Sequence, residues 1–409
     1  MAVIKGSRDY HKTNLALFLA GFVTFATLYD FQPLFPNLVN EYGISPALAS
    51  LSLSCATFSL ACTLPLSGSL SDALGRRALM GVAVIVAPIL AFASAGCESL
   101  TLLLSLRLLQ GIVLAGVPAV AMAYLNDELE PGALGSAMGL YIAGNAFGGM
   151  TGRILTAWLT DFMTWRSAVA IIALISLTAG ILFLALIPVS RNFCSQPFRV
   201  APLTKSLVSH LRNPGLFYLF LIAFTCMGGF VTLYNYVTFR LLGPEFSLSQ
   251  TQVGLIFLAY AFGACSSSIT GNLINRYCRS RIMVLSLTIM ACGLFLTLVA
   301  SLPTVISGII IFTIGFFGVH SVASAWVGFL AKQARAQASS LYLFSYYLGS
   351  SISGTLGGYF YFHWNWNGVV ILVLSLIGLA SLACFRLAAL SNENESIWTW
   401  KRIECKQFK

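Results

Sequence analysis

Charge is what this chain has least of. Only 9% of its 409 residues are Asp, Glu, Lys or Arg, against roughly a quarter in soluble domains, while 58% are hydrophobic. A water-soluble fold of this length needs far more polar surface than that, so an ordinary soluble enzyme is excluded and a bilayer is the expected solvent. A mean hydropathy of +0.85 over the whole chain requires many apolar stretches, not a single anchor.

Other absences narrow the chemistry. The ten cysteines include no CxxC pair. Cys55, Cys62, Cys226, Cys265, Cys292 and Cys384 lie inside apolar runs with no histidine at ligand spacing, so neither a disulfide framework nor a metal site is expected. No GxxxxGK[ST] loop is present, which rules out ATP as an energy source through that motif. No Ser or Cys has close His and Asp partners, so no catalytic residue is assigned and an enzyme is not expected. Residues 1–14 are basic and lack a cleavage-site pattern, so the first apolar run is expected to remain as a helix.

What is there is a series of apolar runs. A membrane helix needs about 20 apolar residues to cross roughly 30 Å of hydrocarbon at about 1.5 Å per residue. Twelve segments qualify, approximately 15–37, 47–70, 78–96, 100–125, 134–160, 166–188, 215–241, 250–274, 282–300, 304–328, 338–361 and 368–388. The spacing predicts an all-α membrane protein. It has an N-terminal tail (1–14), a six-helix bundle (15–188), a linker (189–214), a second six-helix bundle (215–388) and a C-terminal tail (389–409). Within the linker, Leu203 to Leu211 forms either a short amphipathic helix on the anionic inner leaflet or a plain solvated loop.

The net charge of +10 has its explanation in this alternation. Lys5, Arg8, Lys12, Arg76, Arg77, Arg191, Arg199, Lys205 and Arg212 fall at one end of the spans. So do Arg276, Arg279, Arg281, Lys332, Arg335, Arg386, Lys401, Arg402, Lys406 and Lys409, whereas Arg166 and Arg240 fall at the other end. Positive charge marks the cytoplasmic side, so both tails are expected there, and no nucleic-acid partner is implied.

The two bundles read as an internal repeat. Thr27, Leu28, Tyr29 and Asp30 recur as Thr232, Leu233, Tyr234 and Asn235. Gly68, Asp72 and Arg76 correspond to Gly271, Asn275 and Arg279, and Gly116, Val117, Val120 and Ala121 to Gly318, Val319, Val322 and Ala323. Ala137, Tyr141, Gly148 and Trp165 match Ala338, Tyr342, Gly349 and Trp366, with the offset drifting from 205 to 201. Matches in chain order at a nearly constant offset indicate two homologous halves of the same orientation, a plan common among transporters.

Three local patterns then carry a resemblance. Residues 68–77, between the second and third spans, spell GSLSDALGRR. Gly68 would permit close helix approach, Gly75 would turn the chain, and Asp72 could pair with Arg76 or Arg77 or cap a helix N-terminus, with Asp127 and Glu128 from the next basic-side loop joining the cluster. The segment resembles the GxLaDrxGRR signature of the major facilitator superfamily, and its second copy is degraded by Asn275 and Cys278. Arg107, Gln110 and Gly111 resemble the family's RxxQG element, which is associated with proton coupling. Gly135, Gly139, Gly144, Gly148, Gly149 and Gly152 resemble the glycine-rich fifth span of its antiporters, although Met150 stands where the usual proline would be. Tyr29, Gln32, Pro33 and Pro36 are similar to bacterial drug and sugar efflux members.

The resemblance implies the major facilitator fold in a bacterial inner membrane, acting as a monomer and driven by a proton gradient without a cofactor. It implies outward movement of a small organic or amphipathic compound in exchange for protons. Import of a sugar, organic acid or metal chelate by symport is the alternative, and a nontransporting receptor on the same fold is a second one.

Ionisable groups inside the spans are the candidate site, because lipid makes them costly. Asp30 lies about 22 Å from the basic end of its helix and Arg107 about 10 Å from the opposite edge, depths that agree within a turn. In the family's fold the first and fourth spans both line the central cavity, so Asp30 and Arg107 are the proton-coupling candidates. Burial favours the neutral carboxyl and a facing guanidinium favours the charged one, so a change nearby could switch it. The plain alternative is that Asp30 closes the helix near the headgroups before Pro33 and Pro36. Arg153 either anchors the outer end or binds an anionic substrate group, and His320 either packs or relays protons. With Tyr29, Gln32, Tyr141, Asn145, Tyr234, Asn235, Tyr342 and Tyr346 they form the expected substrate cavity, offering hydrogen bonds and aromatic faces. Gly68, Asp72, Gly75, Arg76, Arg77 and Asp127 form the expected conformational latch.

Overall fold

A chain surrounded by lipid must satisfy its backbone polar groups internally, and this one does so with helices. A computed structural model describes residues 3–190, 193, 200–331 and 333–390. The expected C-terminal tail beyond Leu390, most of the linker's first half and the basic residues Arg191, Arg199, Lys332, Lys401, Arg402, Lys406 and Lys409 lie outside the described residues. The helices are α1 (Arg8–Tyr29), α2 (Phe35–Tyr42), α3 (Pro46–Leu74), α4 (Arg76–Ala95), α5 (Leu100–Leu114), α6 (Pro118–Glu128), α7 (Pro131–Thr160) and α8 (Trp165–Leu186). They continue with α9 (Val200–Leu211), α10 (Pro214–Leu242), α11 (Gln250–Gly254), α12 (Ala259–Leu273), α13 (Arg279–Leu296), α14 (Leu302–Leu330) and α15 (Arg335–Leu390). Among the described residues the β structure amounts to one isolated bridge, Val3 to Leu129.

Among the described residues, ten helical segments are long and apolar enough to cross a membrane. The glycine-rich α7, at 30 residues, is long enough to be the eleventh. The twelfth is the second part of α15, which non-helical angles at Trp364 and Asn365 (φ 48°) separate from the first. Short polar residues set the starts: Ser7, Ser45 and Thr164 cap α1, α3 and α8 by accepting a backbone N–H, and Ser249 and Gln252 form a capping box on α11. Gly75, at φ 96°, turns the chain between α3 and α4, a conformation that disfavours any side chain. The expected first span is longer than 15–37 and broken. α1 ends at Tyr29, a 3₁₀ turn covers Gln32–Leu34, and α2 carries on to Tyr42. The fourth expected span is likewise split, into α5 and α6, at Pro118, which has no N–H to continue the ladder. In the linker, Val200–Leu211 is helical, so Leu203 to Leu211 is not a plain loop.

The chain groups into two compact units, Met1–Leu203 with Thr238–Phe257, and Thr204–Val237 with Leu258–Lys409. In the first, α1 packs on α7 and α8, and α4 on α5 and α8. Glycines at a spacing of four make the α1–α7 contact. A Cβ on Gly144, Gly148 or Gly152 would lie 2.3, 2.3 or 2.5 Å from the carbonyl oxygens of Phe18, Phe22 and Ala26, so the two backbones touch along three turns. Thr238–Phe257 joins this unit through Asp161, which accepts from the backbone N–H of Gln250 (3.1 Å) and Thr251 (2.9 Å) and from the Thr251 hydroxyl (2.5 Å). Burial opposes the Asp161 charge, but these hydrogen bonds outweigh it and hold its carboxyl below the ordinary aspartate value.

In the second unit α14 packs on α12 and α13. Gly349 on α15 meets the Phe224 carbonyl as Gly148 meets Phe22, since a Cβ there would lie 2.0 Å from it. The expectation of close approach fails elsewhere. A Cβ on Gly68, Gly135 or Gly139 would meet nothing within 4 Å. Gly68, on α3, therefore lets no neighbouring helix closer in this structure, and on α7 the contact with the α1 carbonyls is made by Gly144, Gly148 and Gly152.

Gly148→Ala is expected to destabilise the protein by about 1–3 kcal/mol, since a backbone carbonyl cannot yield as a side chain can. Gly135→Ala should be neutral or gain up to about 1 kcal/mol from reduced unfolded-state entropy. Thermal unfolding of the purified variants checks this, and a G135A protein melting below G148A would contradict the packing.

Candidate functional site

The break in the first span creates the site. The last carbonyls of a helix have no intrahelical partner, and at the end of α1 those of Thr27 and Leu28 turn to Arg107 of α5. Arg107 Nη1 donates to Thr27 O at 2.9 Å, Nη2 to Leu28 O at 2.6 Å and Nε to Ser52 O of α3 at 2.6 Å. Nη1 also donates to Gln110 Oε1 at 2.6 Å, and Gln110 Nε2 donates onward to Thr27 O and Ala87 O at 3.3 and 3.2 Å. The cation sits 4.7 Å from the centre of the Phe31 ring.

Asp30, the C-cap of α1, completes this shell. Its Oδ1 is 3.3 Å from Arg107 Nη1, and both side chains are fully buried. Asp30 Oδ2 is buried with no hydrogen-bond partner among the described residues. Asp30 thus does end its helix, as the plain reading had it, but inside the span: α2 adds about two further turns beyond it. A carboxylate with one oxygen held by a guanidinium and the other unclaimed can take up a proton without breaking a second hydrogen bond.

A second buried cation lies one residue along. Arg153 of α7 donates from Nε to Gln32 Oε1 at 2.5 Å and from Nη1 to Gly149 O at 2.8 Å. Its guanidinium lies 3.8 Å from the Tyr29 ring centre and 5.1 Å from that of Phe257. Tyr29, Gln32 and Arg153 therefore form one cluster, and neighbours in sequence, Tyr29 and Asp30, carry the two cations. Tyr141 and Asn145 lie elsewhere on α7, with Asn145 fitted against Gly21 of α1, where a Cβ would come within 2.3 Å of its Oδ1.

The expected cavity residues of the second unit gather around an aromatic group. Tyr342 OH and His320 Nδ1 are 2.9 Å apart, and the His320 ring is 4.9 Å from Tyr346. Tyr234 OH and Thr313 Oγ1 are 2.8 Å apart, and Asn235, beside it, is buried. Sequence reasoning missed Phe230, Tyr260, Phe316 and Phe317. Phe230 stacks on Phe316 at 3.9 Å, and Tyr260 stands edge-on to Tyr234 at 5.1 Å. The available signal was the four-residue spacing of Phe312, Phe316 and His320 on α14, which puts them on one face.

At the basic end of the first unit, Arg76 Nε donates to Asp127 Oδ2 at 2.5 Å, and Arg76 Nη2 is 3.3 Å from Asp72 Oδ1. Arg77 turns away and donates to the Leu184 carbonyl at 3.4 Å. At the other end Arg166 pairs with Glu41, and Arg240 with Glu245 at 2.7 Å.

The family model of the Major Facilitator Superfamily matches residues 17–243 and 234–398. The MFS-type transporter YybF of Bacillus subtilis (strain 168) is 46% identical over 366 residues, covering 90% of this chain and 91% of its own. The inner membrane transport protein YnfM of Escherichia coli (strain K12) is 44% identical over 383 residues, covering 94% and 92%. Among solved structures, the nucleoside transporter NupG superposes with a TM-score of 0.75 over 92% of this chain and 99% of its own at 15% identity, a likeness of fold alone.

Removing Arg107 leaves Asp30 buried without its cation and takes the side-chain donor from the Leu28 carbonyl at the end of α1, so Arg107→Ala should cost about 3–5 kcal/mol. Asp30→Asn, which leaves every carbonyl bond to Arg107 in place, should cost far less. Melting temperatures and monodisperse yield in detergent measure both, and equal losses would show that the carbonyl shell contributes nothing.

Proposed function

The chain belongs to the Major Facilitator Superfamily, a family of transport proteins, and from that premise we propose that it is a proton-coupled antiporter exporting a small organic or amphipathic compound. The observation that carries this reading is the fully buried Asp30–Arg107 pair, whose Asp30 Oδ2 has no partner among the described residues. A buried carboxylate inside a span is a proton site by its energetics. The cost of its charge falls on whatever surrounds it, so its protonation responds to any movement of Arg107.

Coupling to substrate has a short physical path. Tyr29 and Gln32 hold Arg153, while Asp30 between them faces Arg107. A substrate that competes for Arg153, or for the Tyr29 ring, pulls on the same broken helix end whose carbonyls solvate Arg107. Binding and protonation then bias the same element, as linkage between two ligands requires. The aromatic group with His320, Tyr342 and Tyr346 supports a substrate with apolar as well as polar surface. The halves 15–188 and 215–388 would expose this site alternately to the two sides, with the Arg76–Asp72–Asp127 cluster latching one state.

The glycine stripe of α7 supports the antiport direction through its resemblance to the family's antiporters. The excess of Arg and Lys at one end of the spans supports cytoplasmic tails. The inner-membrane relative supports the same membrane for this chain.

Transport in proteoliposomes tests the reading. An acidic interior should drive substrate accumulation by the wild type. Accumulation driven by an acidic exterior would instead mean symport and import. Asp30→Asn is expected to lose uphill accumulation while retaining downhill exchange, and uphill transport at the wild-type level would remove Asp30 from the proton path. Asp72→Asn should slow turnover several-fold with an unchanged order of substrate preference, and a reordered preference would sink its latch role.

A further inference from the structure

The basic end of the first unit holds a cavity that the transport reading leaves unused. Its volume is about 810 Å³, and it runs beside α4 and the end of α8, with Arg76 and Arg77 at its head and Val82, Ile85, Val86 and Leu184 along its wall. The apolar part is open outward: Leu74 is 62%, Val82 56% and Val189 65% exposed. In a spanning protein such side chains face acyl chains.

Its head group chemistry is different. Arg76 is committed to Asp72 and Asp127. Arg77, by contrast, has no carboxylate at ion-pair distance among the described residues, and its donor contact is a long one to a backbone carbonyl. Ser190, which also lines the cavity, has a buried hydroxyl with no hydrogen-bond partner among the described residues. A cation without an acid and a hydroxyl without a partner, set at the mouth of an apolar trough, ask for an anionic oxygen-rich group carrying a long hydrocarbon tail.

We propose that this groove binds one anionic phospholipid of the cytoplasmic leaflet, with its phosphate on Arg77 and Ser190 and an acyl chain along Val82, Ile85 and Val86. The leaflet follows from the charge asymmetry already used to orient the chain, and juxtamembrane cations attract anionic lipid by about 1 kcal/mol each. A free phosphate would satisfy Arg77 and Ser190 but leave the trough empty, so the trough selects lipid.

Native mass spectrometry of the full-length, delipidated protein tests this without any transport assay, so its failure is separable from failure of the antiport reading. Titration with phosphatidylglycerol and phosphatidylcholine of matched chains should show the first lipid binding more tightly by about fivefold or more. Arg77→Gln should remove most of that preference. Val82→Trp, at a lipid-exposed position, should lower phosphatidylglycerol binding by filling the trough while leaving the charges intact. Inorganic phosphate at millimolar concentration should not displace the lipid. Equal binding of the two lipids, an unchanged preference in R77Q, unchanged binding in V82W, or displacement by phosphate alone would each overturn the proposal.

Discussion

A guanidinium in the middle of a membrane protein must find five acceptors, and how Arg107 finds them organises the first unit. Two come from α1 because that helix stops. In an unbroken helix the carbonyl of Tyr29 would bond to the N–H of residue 33, but Pro33 has none. The ladder fails there, and the carbonyls of Thr27 and Leu28 become available to Arg107. The same break places the negative end of the α1 dipole against the cation. The broken helix and the buried arginine therefore each remove a cost that the other would otherwise impose.

Close packing of α1 on α7 keeps that arrangement in register. Gly144, Gly148 and Gly152 let the α7 backbone rest directly on Phe18, Phe22 and Ala26, and the next residue on α7, Arg153, is thereby brought over Tyr29 and Gln32 just past the end of α1. A bulkier stripe would move Arg153 outward by the thickness of a side chain and lose the stacking on Tyr29. Backbone contact of this kind is stiff, so a displacement at Arg153 is passed to the end of α1 and not absorbed by side-chain rotation.

Much of this was legible in the residues because the bilayer constrains them so strongly. Run length and hydropathy give the crossings, and the depths of Asp30 and Arg107 can be computed from helical rise alone, which is why two residues 77 positions apart could be matched. The breaks were less legible. Pro33 and Pro36 marked the first, but hydropathy runs smoothly across the split between α5 and α6. Nor does the sequence say which glycines touch a neighbour, since Gly135 and Gly144 look alike until helix rotation decides that one is open and the other is pressed on Phe18. Phe230 and Phe317 were hidden for a related reason, as an aromatic residue in an apolar run looks the same whether it lines a cavity or fills a core.

The shell around Arg107 is asymmetric in a way that bears on its partner. Backbone carbonyls and Gln110 accept most of its donors, and the contact with Asp30 is the longest of the set at 3.3 Å. Arg107 is therefore solvated by the protein whether or not Asp30 carries a charge. Asp30 has less support, because one of its oxygens has no hydrogen-bond partner among the described residues and the other meets its cation at 3.3 Å. Loss of the carboxylate charge removes an attraction but orphans no donor, whereas loss of the guanidinium would take the side-chain donor from the Leu28 carbonyl and leave a buried anion without its cation. Of the two members of the pair, the acid is the one on whose charge fewer of the surrounding contacts depend.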